Sequence, residues 1–292
     1  MDIGSAREKK EKLISILKEK PSLLIAFSGG VDSSFLLAVA YEILKDHVTA
    51  ATGDSITFPS RERLKSIEFA GKLGVEHIIF KSDESAIPEF TANGADRCYY
   101  CKKALSKELI QIAKERGIKY IAFAANIDDL KDYRPGIEAA KEMGVISPLI
   151  EVKLGKEEIR LLSKEMGLPT WDKPAMACLA SRIPYGESVT EEKLDMVQKA
   201  ELFLRENGFK QCRVRYYGNM ARIEIESSKI TMLLDKDLRK RIVDKFREIG
   251  FSHIALDLEG YITGSLNRGL IDILKELEGK HMSTLWPPNT HY

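Results

Sequence analysis

Residues 23–27, Leu-Leu-Ile-Ala-Phe, run straight into Ser28-Gly29-Gly30-Val31-Asp32-Ser33-Ser34, and helical spacing begins at once. No other feature restricts the chain so tightly. A short apolar run without polar alternation reads as a strand buried on both faces, as in a parallel sheet covered by helices. Where glycines turn such a strand into a helix, the first backbone amides are open to an anion and the helix dipole favours its charge. Ser28, Ser33 and Ser34 add hydroxyl donors, and Asp32, which would repel phosphate alone, is assigned to Mg2+. The plainer reading is an ordinary turn with Asp32 and Ser33 capping the helix. A lone Gly-Gly would favour that; the full string does not. The lysine and spacing of G-x-x-x-x-G-K-[ST] are missing, so transfer of a γ-phosphate is not implied.

The rhythm of strand, turn and helix continues to about Pro148. Strands are expected at Leu23–Phe27, Val48–Thr52, His77–Phe80, Tyr120–Ala124 and, weakly, Val145–Leu149. Helices are expected at Ser33–Leu44, Arg61–Leu73 and Lys102–Arg116, with Gly74 and Gly117 as C-terminal stops. This alternation predicts an α/β fold with a parallel sheet, ligands sitting at the carboxyl ends of its strands. From Leu168 to Ser188 prolines at 169, 174 and 184 and Gly186 break the pattern, and the segment reads as a functional loop and linker. A smaller α+β domain is expected beyond it: a helix at Glu191–Asn207, strands at Cys212–Tyr217 and Ala221–Glu226 joined by Gly218-Asn219, helical stretches to Glu248, and a strand at His253–Leu258. The domain boundaries are drawn at 1–186 and 187–292, with the tail after Lys280 loosely held.

Composition excludes several classes. The chain has 292 residues, 44% apolar and 30% charged, the balance of a globular protein. Its 45 basic and 44 acidic side chains leave a net charge of +1, which argues against a nucleic-acid partner. Met1–Lys12 is too charged for a signal peptide and no apolar run is long enough to span a membrane, so a cytoplasmic location without membrane contact is expected.

The Ser28–Ser34 string resembles the PP-loop of the ATP pyrophosphatase superfamily, which binds the pyrophosphate of ATP there and releases it after forming an AMP adduct. Two other strand exits fit the resemblance. Thr52, Asp54 and Ser55 follow the second strand, where the superfamily holds adenine and ribose, and Asn126 and Asp129 follow the fourth. Asn and Asp are also common turn residues.

Four cysteines are too few for a disulfide scaffold, but Cys98 and Cys101 stand at C-x-x-C spacing just before a helix expected near Lys102, and Cys178 lies in the proline-rich loop. A helix N-terminus lowers thiol pKa, as do Arg97, Lys102 and Arg182 where they lie near. Three readings compete: a redox pair, half of a zinc site, or three thiolates holding a 4Fe-4S cluster with one iron lacking a protein ligand. On the cysteines alone a structural metal and a catalytic cluster are equally good; beside an adenylylating loop, the cluster is the better bet.

Arg97-Cys-Tyr-Tyr-Cys-Lys102, Ala177-Cys-Leu-Ala-Ser-Arg-Ile-Pro-Tyr-Gly186 and Leu256-Asp-Leu-Glu-Gly-Tyr261, in this order after the loop, resemble the LarE family of ATP-dependent sulfur transferases, over about Ser22 to Leu266. The resemblance implies that ATP adenylylates a carboxylate of pyridinium-3,5-biscarboxylic acid mononucleotide and that sulfur replaces AMP, giving a precursor of a nickel-pincer cofactor. One branch of the family sacrifices the sulfur of a single cysteine at the Cys178 position. The other uses three cysteines and a 4Fe-4S cluster that passes on an added sulfide; Cys98, Cys101 and Cys178 put this chain there. The resemblance also implies a sulfide donor and a homo-oligomer. Arg182 and Tyr185 are expected to orient phosphate or carboxylate, and the magnesium on Asp32 to neutralise departing pyrophosphate.

Arg213 and Arg215, two apart on a strand, share a face and are candidates to clamp a substrate phosphate, a solvated face being the bland alternative. Glu224 and Glu226 also share a face, more in keeping with an ion pair to the neighbouring strand than with a metal. Cys212 reads as a buried small residue, and His47, His77, His253, His281 and His291 are given no role. Family members often carry arginine after Glu-Gly-Tyr, where this chain has Ile262. Rival readings are a tRNA-thiolating PP-loop enzyme, an ammonia-dependent ligase like the NAD synthetases, and an ATP- or iron-sulfur-binding module without catalysis.

Overall fold

The computed structural model of the protein describes residues 3–131, 133–174 and 177–268. Met176, His281, His291 and the tail after Lys280 lie outside the described residues. The N-terminal part comprises α1 (Ile3–Lys18), β1 (Leu23–Ala26), α2 (Val31–Leu44), β2 (Val48–Asp54), α3 (Ser60–Leu73), β3 (Glu76–Lys81), α4 (Pro88–Thr91), α5 (Arg97–Arg116), β4 (Tyr120–Ala122), α6 (Pro135–Glu142), α7 (Pro148–Glu151) and α8 (Lys156–Glu165). The C-terminal part comprises α9 (Glu191–Glu206), β5 (Cys212–Tyr217), β6 (Met220–Ile225), α10 (Lys236–Ile249) and β7 (His253–Leu256).

The first four strands form a parallel sheet in the order β3-β2-β1-β4, with Leu23 opposite Val48 on one side and Tyr120 on the other. Side chains alternate between its faces. Leu23 and Ile25 join the core built with α1, α2 and α8, while Leu24 joins the core beneath α5 and α6. Helix α2 is buried along most of its length, Val31 through Ala40 apart from Asp32, which explains why its sequence lacks an amphipathic stripe. Each fully buried Leu or Ile contributes about 1.5–3 kcal/mol.

The expected strand at Val145–Leu149 reduces to a single bridge, Ala122 to Ile146. Pro148 is the reason: it has no N–H for a ladder and starts the one-turn α7 instead. Helix α1, unnamed in the strand-and-helix rhythm, buries Ala6, Leu13 and Leu17 against the first core. Gly74 and Gly117 end α3 and α5 in left-handed conformations, as the sequence reading expects.

In the C-terminal part β5 and β6 pair antiparallel, and β6 and β7 pair parallel across α10. Their core takes Leu204 from α9, Phe246 from α10 and Val214, Ile223 and Ile225 from the sheet. Phe90, Leu179, Ala180, Ile183, Val189, Leu194 and Val197 form a further apolar cluster joining α4, the linker and α9. The linker is therefore packed rather than free. Among the described residues no helix is long and apolar enough to cross a membrane.

Candidate active site

β1 lies where the strand order reverses, with β2 on one side and β4 on the other, and its carboxyl end is the crevice where such sheets bind ligands. The loop there is held in part by its own atoms. Ser33 Oγ donates to the Gly30 carbonyl at 3.3 Å and lies 3.1 Å from Ser28 Oγ, and the Ser34 amide donates to Gly30 at 3.0 Å. Gly30 caps α2 through its backbone alone, leaving the amides of the first turn for an external anion. Gly29 has φ +62°, and a Cβ there would stand 3.1 Å from the Ser66 Cβ of α3. Glycine is thus required twice over, by the turn and by the close approach.

Asp32 sits in the first turn of α2, its Oδ2 2.5 Å from Lys156 Nζ at the start of α8. Burial pushes its carboxyl pKa upward; Lys156 opposes this, and the charge of Asp129 adds to the rise. Its Oδ1 is buried with no hydrogen-bond partner. A buried carboxylate oxygen left over, with a second carboxylate nearby, is donor chemistry that fits a hard cation such as Mg2+. Asn126 and Asp129 shape the loop after β4: Asp129 Oδ2 accepts the Asn126 amide at 3.0 Å, and Asn126 Oδ1 accepts the Asp128 amide at 2.9 Å.

Beyond β2 the expected ligand residues are largely engaged within the protein. Thr52 is buried, donating to the Phe27 carbonyl at 2.5 Å with His77 Nε2 at 2.8 Å, so it ties β2 to β1. Asp54 pairs with Arg63 of α3. Ser55 donates to the buried Glu84 at 2.5 Å.

Cys178, far from the other two candidate thiols in sequence, lies near enough for its charge to act on Cys101. Cys98 and Cys178 are exposed and Cys101 half-buried, and the thiol of Cys101 feels the charge of both the others. Helix α5 starts at Arg97 rather than near Lys102, so both cysteines of the pair lie within it. The expectation of lowered thiol pKa fails for Cys101. Burial, reinforced by Cys178, pushes it up to about 12 against the weaker pull of Lys102. As placed, no group of three or more His, Cys, Asp or Glu side chains among the described residues is arranged to hold a metal ion. The donor types fit an iron-sulfur cluster; the arrangement is not a closed cage.

Buried cations hold this region in place. Arg182, expected to meet phosphate or carboxylate, is fully buried. It forks onto Glu201 of α9 at 2.7 and 3.0 Å and donates to the carbonyls of Ala177 and Cys178 at 2.8 and 3.0 Å. Its work is to position the Cys178 backbone. Arg97 bonds to Asn93 and, at 3.0 Å, to the Ala180 carbonyl, while Asn93 Nδ2 donates to Pro184 and Glu187 at 2.7 and 2.8 Å. Tyr185 donates to Asn267 at 3.1 Å.

Arg213 and Arg215 are buried rather than solvated. Arg215 forks onto Glu224 at 2.8 Å through both nitrogens and donates to the Ser181 carbonyl at 2.7 Å. The ion-pair reading of Glu224 therefore holds. The Arg213 guanidinium lies 4.9 Å from the Tyr261 ring centre, and burial, with Arg182 nearby, lowers its pKa to about 10. A Cβ at Gly260 (φ +75°) would stand 2.6 Å from the Ile225 carbonyl, so this glycine lets Tyr261 dock beside Arg213. Cys212 is buried, as expected.

The sequence reading did not single out Lys156, Lys173, Glu62, Asn93 or Glu201. Lys173 Nζ donates to the Gly29 carbonyl at 2.6 Å and pairs with the buried Glu62 of α3 at 2.5 Å. Its one sequence signal is membership of the proline-rich linker; the others look like ordinary helix or turn residues.

A Ser-Gly-Gly-Val-Asp-Ser-Ser turn at the switch point of this parallel sheet puts the chain in the PP-loop class of α/β proteins. No protein-family model matches it. Individual proteins do. An uncharacterized protein of Synechocystis is 44% identical over 90% of this chain and 98% of its own length. The pyridinium-3,5-bisthiocarboxylic acid mononucleotide synthase of Lactiplantibacillus plantarum is 34% identical over 89% of this chain and 94% of its own length. A glutamine-hydrolyzing GMP synthase chain of Archaeoglobus fulgidus is 27% identical over 70% of this chain and 71% of its own. With the second of these matched almost end to end, the chain belongs to the LarE family of pyridinium-3,5-bisthiocarboxylic acid mononucleotide synthases.

Proposed function

We infer that this protein is an ATP-dependent sulfur transferase. It adenylylates a carboxylate of pyridinium-3,5-biscarboxylic acid mononucleotide and exchanges the AMP for sulfur, with Cys98, Cys101 and Cys178 holding a 4Fe-4S sulfide carrier. The observation that carries this reading is the phosphate loop at the exit of β1, with the linker that bears Cys178 docked at the exit of the neighbouring β2. Cys101 feels both other thiols as well as Glu84, the partner of Ser55, and the Leu179 amide bonds to the Thr57 carbonyl at 3.0 Å.

A carboxylate oxygen is a poor leaving group. Attack of that oxygen on the α-phosphorus expels pyrophosphate toward the amides of Val31, Asp32 and Ser33, and the resulting acyl phosphate can lose AMP. Asp32, with Asp129 behind it, would hold the Mg2+ that offsets the charge of pyrophosphate. Sulfur then attacks the acyl carbon, the carbon–oxygen bond breaks, and AMP leaves. Cys98, Cys101 and Cys178 would hold the cluster, which would supply the sulfide. Arg182 and Glu201 hold the Cys178 carbonyl still, while Arg213 and Arg215 are the candidates to meet a substrate phosphate.

The test begins with anaerobic purification and assay of iron and acid-labile sulfide. About four irons per chain, lost in Cys98→Ala, are expected. A chain without iron after careful reconstitution removes the cluster and leaves Cys178 as a single-turnover donor. Pyrophosphate release on adding the mononucleotide, and none on adding tRNA, separates this reading from tRNA thiolation. The same reading includes a homo-oligomer and an external sulfide donor; light scattering checks the first and sulfide-dependent multiple turnover the second.

A further inference from the structure

One cation beside the phosphate loop has no part in the chemistry above. Lys173 comes from the linker, yet its ammonium bonds to the Gly29 carbonyl and to Glu62, a carboxylate 7% exposed. Its own side chain is 13% exposed. Its backbone is not free to drift: Arg160 of α8 donates to the carbonyls of Trp171 and Lys173 at 2.7 and 2.8 Å. Helix α8 thus brings two ammonium groups to the loop, Lys156 directly and Lys173 through Arg160.

An ammonium has three N–H donors, and among the described residues Lys173 has these two partners. One donor remains at the loop whose amides are the anion site. A surface lysine would not be held in this way, because fixing its long chain costs up to about 2 kcal/mol of rotamer entropy. Glu62 keeps the cation local and neutralised while the loop is empty, and any phosphate arriving beside Gly29 competes for it.

We propose that Lys173 is a pyrophosphate-binding residue, lent to the phosphate loop by the segment that leads to Cys178, so that pyrophosphate in the loop draws its ammonium off Glu62 and a vacated loop hands it back. The proposal rests on the ATP reading above. It gives the linker a means of registering whether pyrophosphate has left before sulfur is delivered. Lys173 and Cys178 are close along the chain, so the backbone between them reaches at most about 18 Å.

The test measures binding of Mg-pyrophosphate and of AMP by equilibrium dialysis to the full chain, comparing wild type with Lys173→Met and Glu62→Gln. Lys173→Met is expected to weaken Mg-pyrophosphate at least tenfold and leave AMP within twofold. Glu62→Gln removes the competing carboxylate and is expected to tighten Mg-pyrophosphate several-fold, a change that damage to the fold does not imitate. Unchanged pyrophosphate affinity in Lys173→Met, or equal loss of AMP, overturns the proposal. Should that variant fail to fold, Glu62→Gln decides alone, and unchanged or weaker binding overturns it. A wild type that binds neither ATP nor AMP sinks the nucleotide reading and this proposal with it; a wild type that binds both while Lys173→Met behaves identically sinks only the proposal. In a Trp286→Phe background, Trp171 fluorescence is expected to respond to Mg-pyrophosphate and not to AMP, and the response to vanish in Lys173→Met; a response that persists there overturns the coupling.

Discussion

The phosphate loop is one stretch of chain, Ser28–Ser34, braced by its own hydrogen bonds with only Lys156 and Lys173 reaching it from outside among the described residues, whereas the thiols come from α5 and from a linker far downstream. The first needs a buried strand, a glycine turn and a helix start. The second needs Arg97, Asn93, Arg182 and Glu201, buried polar groups that tie the linker to α5 and α9. A locally built site depends on its own residues. A site assembled from distant segments depends on side chains that never touch the substrate, and breaking a buried ion pair is costly because one charge is left stranded.

The sharpest break in this comparison is chemical. Cys178→Ala is expected to abolish sulfur transfer while pyrophosphate release with the mononucleotide stays within about threefold; loss of both would join the two sites into one. Asp32→Asn is expected to act at the other end, cutting pyrophosphate release by about 10²–10³-fold, the scale for removing a preorganised charged group. Its thiols should load iron as the wild type does.

Next comes stability. Glu201→Ala strands Arg182 in the interior and is expected to cost about 3–5 kcal/mol, read as a lowered denaturation midpoint. The pH dependence follows in sign. Burial alone would raise the Glu201 carboxyl, but Arg182, with Arg205 and Arg213, outweighs burial and brings it down from 4.5 to about 2. A depressed carboxylate contributes stability that is complete above its unfolded pKa and is lost as pH falls toward the folded one. The wild-type midpoint should therefore drop between about pH 4.5 and 2, and Glu201→Gln should flatten that segment of the curve.

Smaller still is Gly29→Ala, expected to cost about 1–2 kcal/mol from the left-handed backbone, with a weakened nucleotide site and unchanged iron loading. The smallest effect is expected from Thr190→Ala. Thr190 caps α9 by accepting the Lys193 amide at 3.3 Å. Its loss should lower stability by about 1 kcal/mol and leave both activities alone.

Much of the N-terminal part was legible because the rules at work there are local. Apolar run, glycine turn and helical spacing placed β1, α2 and the loop to within a residue or two, and Gly74 and Gly117 marked their helix ends. Val145–Leu149 misled because an apolar run does not reveal that Pro148 ends the ladder after one bridge. Arg182 was read by its neighbours in sequence, as a hand for phosphate, when its partner Glu201 lies on a different helix.

What the amino-acid order determined by itself is therefore the α/β rhythm, the glycine turn at the head of α2 and the buried character of Cys212, since propensity, glycine geometry and residue chemistry act over a few positions. Tertiary structure alone decided that the linker bearing Cys178 docks beside α5 and the exit of β2, that Arg182, Arg213 and Arg215 are buried among ion pairs and aromatic rings, that Thr52 is spent on holding two strands together, and that two lysines reach the loop from α8 and the linker. Burial and charge pairing between distant segments carry no local signal; only the folded chain chooses which groups lose water and which charges they find there.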